Sequence, residues 1–147
     1  MLTKTSAITV GQEFSGKVKN VSLERMLAFS GGQLTIPNWP RKNHHTDLPF
    51  AKNIGLETLC VSATQYMGHL ISVLIKLFGD EWLNTGKIDV KFTKVVSPAQ
   101  RLQAKAVIRA VSNESGTAKV ELDVWVENQD GEKVLSGTAA GQCPVRS

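Results

Sequence analysis

Two of the three histidines of the chain, His44 and His45, stand side by side with Asn43 before them and Thr46 and Asp47 after them. An imidazole titrates near neutral pH, so it can accept a proton from water and hand it on without an extreme environment. An amide and a carboxylate within two residues of it can orient a ring or a water molecule. Each residue also has a plainer reading: His45 as a surface histidine beside a helix, His44 as an exposed one, Asn43 as a turn former, and Asp47 as a helix-dipole partner. The third histidine, His69, sits in an apolar run, where a hydrogen-bonded core histidine and a supporting member of a site are both open. Arg41 and Lys42 just upstream are expected to be solvated, with phosphate contact as the lesser option.

Cys60 and Cys143 are far apart, with neither a CxxC pair nor a His/Cys set at zinc-ligand intervals. Both are expected to be reduced core thiols, and no metal is expected. The net charge of +4 comes from scattered Lys and Arg without the basic clusters or interleaved aromatics of a nucleic-acid face. That balance suits a small molecule bearing phosphate. No apolar run reaches the roughly 18 to 20 residues that span a bilayer, and the opening MLTKTSAITVGQEF lacks the apolar core of a secretory leader. The expected compartment is the cytoplasm.

The 147 residues suit one domain, 1–147, with 41% hydrophobic and 20% charged residues arguing against disorder. Thr64 to Phe78 is too long for a strand and apolar on nearly every face, which predicts a buried helix ended by Gly79. From Lys87 the period becomes two. Ile88, Val90 and Phe92 alternate with polar residues, as do Leu102 to Ala110 and Ala118 to Val126. Turn residues at 96–100, 113–116 and 128–131 connect these strands into an expected antiparallel meander. The last strand, Lys133 to Gln142, is rich in Gly, Ala, Ser and Thr, so that a thick element can lie close to it. Upstream, Glu13 to Val21 predicts a strand, and Ser22 caps a short helix from Leu23 to Phe29. Thr46 is expected to cap a third helix that ends at Gly55.

One buried helix wrapped by an antiparallel sheet is an α+β arrangement of the hot-dog type. Its open edges and outer face favour a second copy, so a homodimer or larger homo-oligomer is expected, and Trp125 on an otherwise polar face fits such a contact.

The segments VGQEF (10–14), VSLERMLAFSGG (21–32), NHHTDLPFAKNIGL (43–56), GHLISVLIKLFG (68–79) and DVKFTKVVSP (89–98) follow in the order of the MaoC-like dehydratases, or (R)-specific enoyl-CoA hydratases, which the chain resembles over almost its whole length. The most specific match is Asn43, His45, Thr46 and Asp47 ahead of Phe50, Ala51 and Lys52. The resemblance implies a hot-dog dimer that adds or removes water across the 2,3-double bond of an acyl-CoA thioester, with CoA entering as part of the substrate and no separate cofactor. It implies His45 as general base, helped by Asn43 and His69, and a substrate-binding start of the central helix at Ala63 and Thr64, where the Thr64 amide is the oxyanion donor. Asp47 is placed with the substrate-binding residues.

The pattern also breaks. The family carries an aspartate five residues before the histidine, and this chain has Pro40 there. An insertion-like QLTIPNWPRK (33–42) follows Ser30-Gly-Gly, and Ala63-Thr64 stands where the family has His-Gly. The prolines at 37 and 40 are expected to hold this loop extended. A non-catalytic acyl-thioester-binding protein or partner subunit is therefore the alternative, and an acyl-CoA thioesterase a weaker third.

Overall fold

The structure is a computed structural model that describes residues 8–114 and 116–144. The first seven residues of the stretch where no secretory leader is expected lie outside the described residues, as does Ser115 of the predicted turn at 113–116.

Among the described residues ten elements follow one another. Two short strands, β1 (Glu13–Ser15) and β2 (Lys19–Asn20), precede the helices α1 (Leu23–Ser30), α2 (Leu48–Asn53), α3 (Ala63–Phe78) and α4 (Glu81–Thr85). Four longer strands close the chain: β3 (Lys87–Phe92), β4 (Arg101–Glu114), β5 (Thr117–Asn128) and β6 (Lys133–Pro144). Together the six strands form one antiparallel sheet in the order β1-β4-β5-β6-β3, with β2 also paired to β4.

The alternation in β5 explains its place at the centre. Ala118, Val120, Leu122, Val124 and Val126 are all buried on the face towards α3, while Lys119, Glu121, Asp123, Trp125 and Glu127 face outward. The same alternation buries Leu102, Ala104, Ala106 and Ile108 of β4. It ends at a register shift between Ile108 and Ala110, which turns Ala110 outward against the sequence pattern.

Helix α3 presents Tyr66, Leu70, Val73, Leu74, Leu77 and Phe78 to the sheet at three- and four-residue spacing. Leu70 and Leu74 are wholly buried, and burying a side chain of this size stabilises the fold by about 1.5–3 kcal/mol. The helix is less enclosed than its composition predicts, because Thr64, Ser72, Ile75 and Lys76 are exposed along the opposite side. Gly79 ends it with φ 66° and donates its N–H to Ile75 O. The small residues of β6 serve the close approach expected of them: a Cβ on Gly141 would lie 2.9 Å from Cε1 of Phe78, whose ring stacks on Trp82 of α4.

Three predicted features differ in the structure. The first strand is two pieces rather than one: Gly16 N–H still donates to Ala104 O of β4 at 2.8 Å, and regular pairing with β4 resumes only at Lys19; a Cβ at Gly16 would meet Val73 of α3 at 2.9 Å. The meander holds for β4, β5 and β6 only. Strand β3 pairs with β6, on the far side of the sheet from β4. The third helix is capped by Asp47, whose carboxylate accepts from Phe50 N at 2.8 Å, and not by Thr46; the helix ends at Asn53. The Thr46 hydroxyl is committed backwards, donating to Arg41 O at 2.6 Å and accepting from Asn43 N at 3.0 Å.

Candidate functional site

The loop between α1 and α2 carries the histidine pair, and its own hydrogen bonds fold it back rather than leaving it extended. Gly31 N–H caps α1 by donating to Leu27 O, and Arg41 N–H donates to Gly31 O at 2.8 Å, closing the loop of residues 32–40 between them. Within that closure Asn38 is left-handed (φ 59°) and Trp39-Pro40 is cis. The Trp39 indole N–H donates to Gly32 O at 3.3 Å.

Asn43 is the brace of this loop. Its side-chain NH₂ donates to Ser30 O at 2.9 Å and to Arg41 O at 3.3 Å, while its amide oxygen accepts the backbone N–H of His45 at 2.8 Å. Both ends of the amide are therefore committed to protein partners. Asp47 is similarly occupied as the α2 cap, with Lys42 Nζ 3.9 Å away.

The His45 ring leans on the chain just ahead of α3. Nδ1 lies 2.7 Å from the carbonyl oxygen of Cys60, which can only accept, so the neutral ring carries its proton on Nδ1 and Nε2 is left as the acceptor. The same nitrogen is 3.5 Å from Cys60 Sγ. His44 stacks obliquely on His45 with centroids 3.9 Å apart, and its carbonyl accepts from Cys60 N–H at 3.4 Å. Burial, then the neighbouring His45, lowers the pKa of His44 below the usual 6.5. Burial raises that of Cys60, which keeps the thiol protonated near neutral pH. Val61 N–H then donates to Val96 O at 2.7 Å, tying this segment to the chain beyond β3.

Together these residues wall a cleft of about 350 Å³, bounded by His44, His45 and Cys60 on one side and by Val61, Ala63 and Tyr66 at the start of α3 on another. Phe92 to Val96 close the third side. Phe92, expected to point inward, is 45% exposed because it stands at this rim, where Tyr66 meets it edge to face at 5.7 Å. The walls are mainly apolar, and among the described residues no carboxylate lines them.

Of the residues singled out from the sequence, the cleft brings His45 and Ala63 together, with His44 half-buried beside them rather than exposed. Asn43 and Asp47 stand behind as supports of the loop, and Pro40 offers no titratable group. Thr64 is exposed beside the cleft, its hydroxyl 3.0 Å from that of Ser62, and no side chain caps the start of α3. His69 lies elsewhere along α3: burial first, then the charges of Lys19 and Arg25, lowers its pKa below 6.5, and its buried Nδ1 has no partner among the described residues. Cys143 is buried as expected, whereas Cys60 is a half-buried wall of the cleft. Sequence spacing had no means of finding Cys60, because only the long-range contact with His45 gives it a place in the site.

No protein-family model matches the sequence, and no curated protein matches it. Solved structures do. A MaoC-like dehydratase from Rhodospirillum rubrum superposes with a TM-score of 0.73 at 18% identity, covering 95% of each chain. The (R)-hydratase PhaJ1 from Pseudomonas aeruginosa gives 0.72 at 16% identity, over 95% of this chain and 84% of its own. The HadBC complex of Mycobacterium tuberculosis, a 3R-hydroxyacyl-ACP dehydratase, gives 0.65 at 19% identity, over 95% and 99%. Agreement over nearly the whole length at such low identity is agreement of backbone: the chain has the hot-dog fold of the MaoC-like dehydratases and (R)-hydratases.

Proposed function

We propose that the protein adds water to, or removes it from, the 2,3-double bond of an acyl-CoA thioester, with His45 as its proton-transfer group. The observation that carries this reading is the 2.7 Å contact between His45 Nδ1 and Cys60 O, which leaves Nε2 basic in a ring that walls an apolar cleft. A carboxylate beside a histidine fixes its tautomer and stabilises the imidazolium; the Cys60 carbonyl supplies the first of these services here, and part of the second through its dipole.

In hydration, Nε2 takes a proton from water as the water oxygen bonds to the β-carbon of the enoyl thioester. The imidazolium so formed returns a proton to the α-carbon, and the ring ends neutral. One imidazole serves both transfers, as a cleft without a carboxylate requires. The uncapped start of α3, with Ala63 in the wall, offers backbone N–H groups and the positive end of the helix dipole to charge developing on the thioester oxygen. The valines and aromatic rings accommodate an acyl chain. In this reading the protein works as a homodimer, a second copy covering the exposed side of α3 and the open cleft.

The absence of a carboxylate from the cleft also favours a second reading, an acyl-thioester binder without turnover. A panel of enoyl- and hydroxyacyl-CoA thioesters separates the readings when both enoyl absorbance and free thiol are followed. Loss of enoyl absorbance without thiol release is the expected result. Calorimetric binding with neither change identifies the binder, and thiol release identifies a thioesterase.

A further inference from the structure

We propose that His44, His45 and Cys60 form a binding site for a divalent transition-metal ion of the zinc class. The three residues contribute one candidate ligand atom each, and these atoms lie within 4.8 Å of one another. A tetrahedral zinc site has Zn–S near 2.3 Å and Zn–N near 2.0–2.1 Å, which places adjacent sulfur and nitrogen ligands roughly 3.5 Å apart. Cys60 Sγ and His45 Nδ1 are 3.5 Å apart before any ion is considered. The mixture of one thiol and two imidazoles is the borderline-soft set that selects zinc or cobalt over magnesium or calcium.

The backbone holds the set in place. Asn43 fixes the His45 N–H, Cys60 N–H is bonded to His44 O, and Val61 N–H to Val96 O, so both ligand-bearing segments are clamped at hydrogen-bonding distance of each other. All three residues are half-buried at the wall of an open cleft, so three protein ligands leave the fourth position to water or a small anion.

Cys60 binds as thiolate and releases its proton to solvent. If His45 ligates through Nδ1, that nitrogen gives up its hydrogen bond to Cys60 O and the ring proton moves to Nε2. A bound ion and a basic Nε2 are then mutually exclusive. That last consequence rests on the proposed hydratase reading; the metal site does not.

Cobalt(II) is the probe. Chelator-treated, phosphine-reduced full-length protein is titrated with Co²⁺ in the absence of any thioester, so the outcome is independent of whether the protein is a hydratase. The expected result is one equivalent of Co²⁺ bound, with visible bands of a tetrahedral ion and a near-ultraviolet thiolate charge-transfer band. Cys143→Ser keeps these bands, whereas Cys60→Ser loses the charge-transfer band and His44→Gln binds at least about 10–100-fold more weakly, with circular dichroism showing each variant folded. No charge-transfer band in the wild type, its survival in Cys60→Ser, or wild-type affinity in His44→Gln overturns the site.

Discussion

His45 Nδ1 and the carbonyl oxygen of Cys60 are 2.7 Å apart, joining the loop before α2 to the segment that opens α3. This one contact fixes the ring tautomer, aims a histidine at the start of the central helix, and brings a thiol alongside. Its geometry depends on the residues that brace the loop and the helix around it.

Asn43 is the first support. Asn43→Ala removes the amide that ties Ser30 O, Arg41 O and His45 N–H together, leaving partly buried groups unpaired. Losses of this kind cost about 1–3 kcal/mol. Urea unfolding is expected to show a lower midpoint by that amount, and an unchanged midpoint contradicts the bracing role.

A second test concerns the closeness of β6 to α3. Gly141→Ala puts a methyl 2.9 Å from a buried phenyl ring that is itself stacked on Trp82. Overpacking at such a point costs about 1–3 kcal/mol. Thermal unfolding is expected at a lower temperature than wild type, and an equal or higher midpoint shows that Phe78 gives way freely.

The pH dependence of stability follows from His69. Its folded pKa is lowered, by burial first and then by Lys19 and Arg25, so the unfolded chain binds the proton more readily. Stability is therefore fully present above the unfolded value near 6.5 and is lost as pH falls from there through the folded pKa. His44, lowered by burial and by His45, acts in the same direction. Denaturant midpoints measured from pH 7.5 to pH 5 should fall, and fall less in His69→Gln. Equal slopes in the two proteins refute the assignment to His69.

Much of this fold is legible in the sequence because its patterns are local. The period-two alternation of β4 and β5 predicts their buried faces residue by residue until the bulge at Ala110, and the apolar length of 64–78 predicts α3. Strand order is not local: nothing in Lys87–Phe92 says that it pairs with β6 rather than β4. The same limit applies to the site. His45 stands out because Asn43 to Asp47 form a compact motif, whereas the partnership with Cys60 exists only once the chain has turned through α2. Thr46 and Asp47 are equally good caps by type, and only the backward bonds of the Thr46 hydroxyl leave the cap to Asp47.

Proton transfer by His45 is tested by the rate at which wild type and His45→Ala consume the enoyl absorbance of a short 2-enoyl-CoA, with circular dichroism confirming that the variant is folded. A group serving as general acid and base contributes about 10²–10⁴-fold. Water addition by the wild type and a loss of that order in the variant are expected, with no thiol released by either. Hydration by His45→Ala at the wild-type rate, or no turnover of any enoyl thioester by the wild type, contradicts that role of His45.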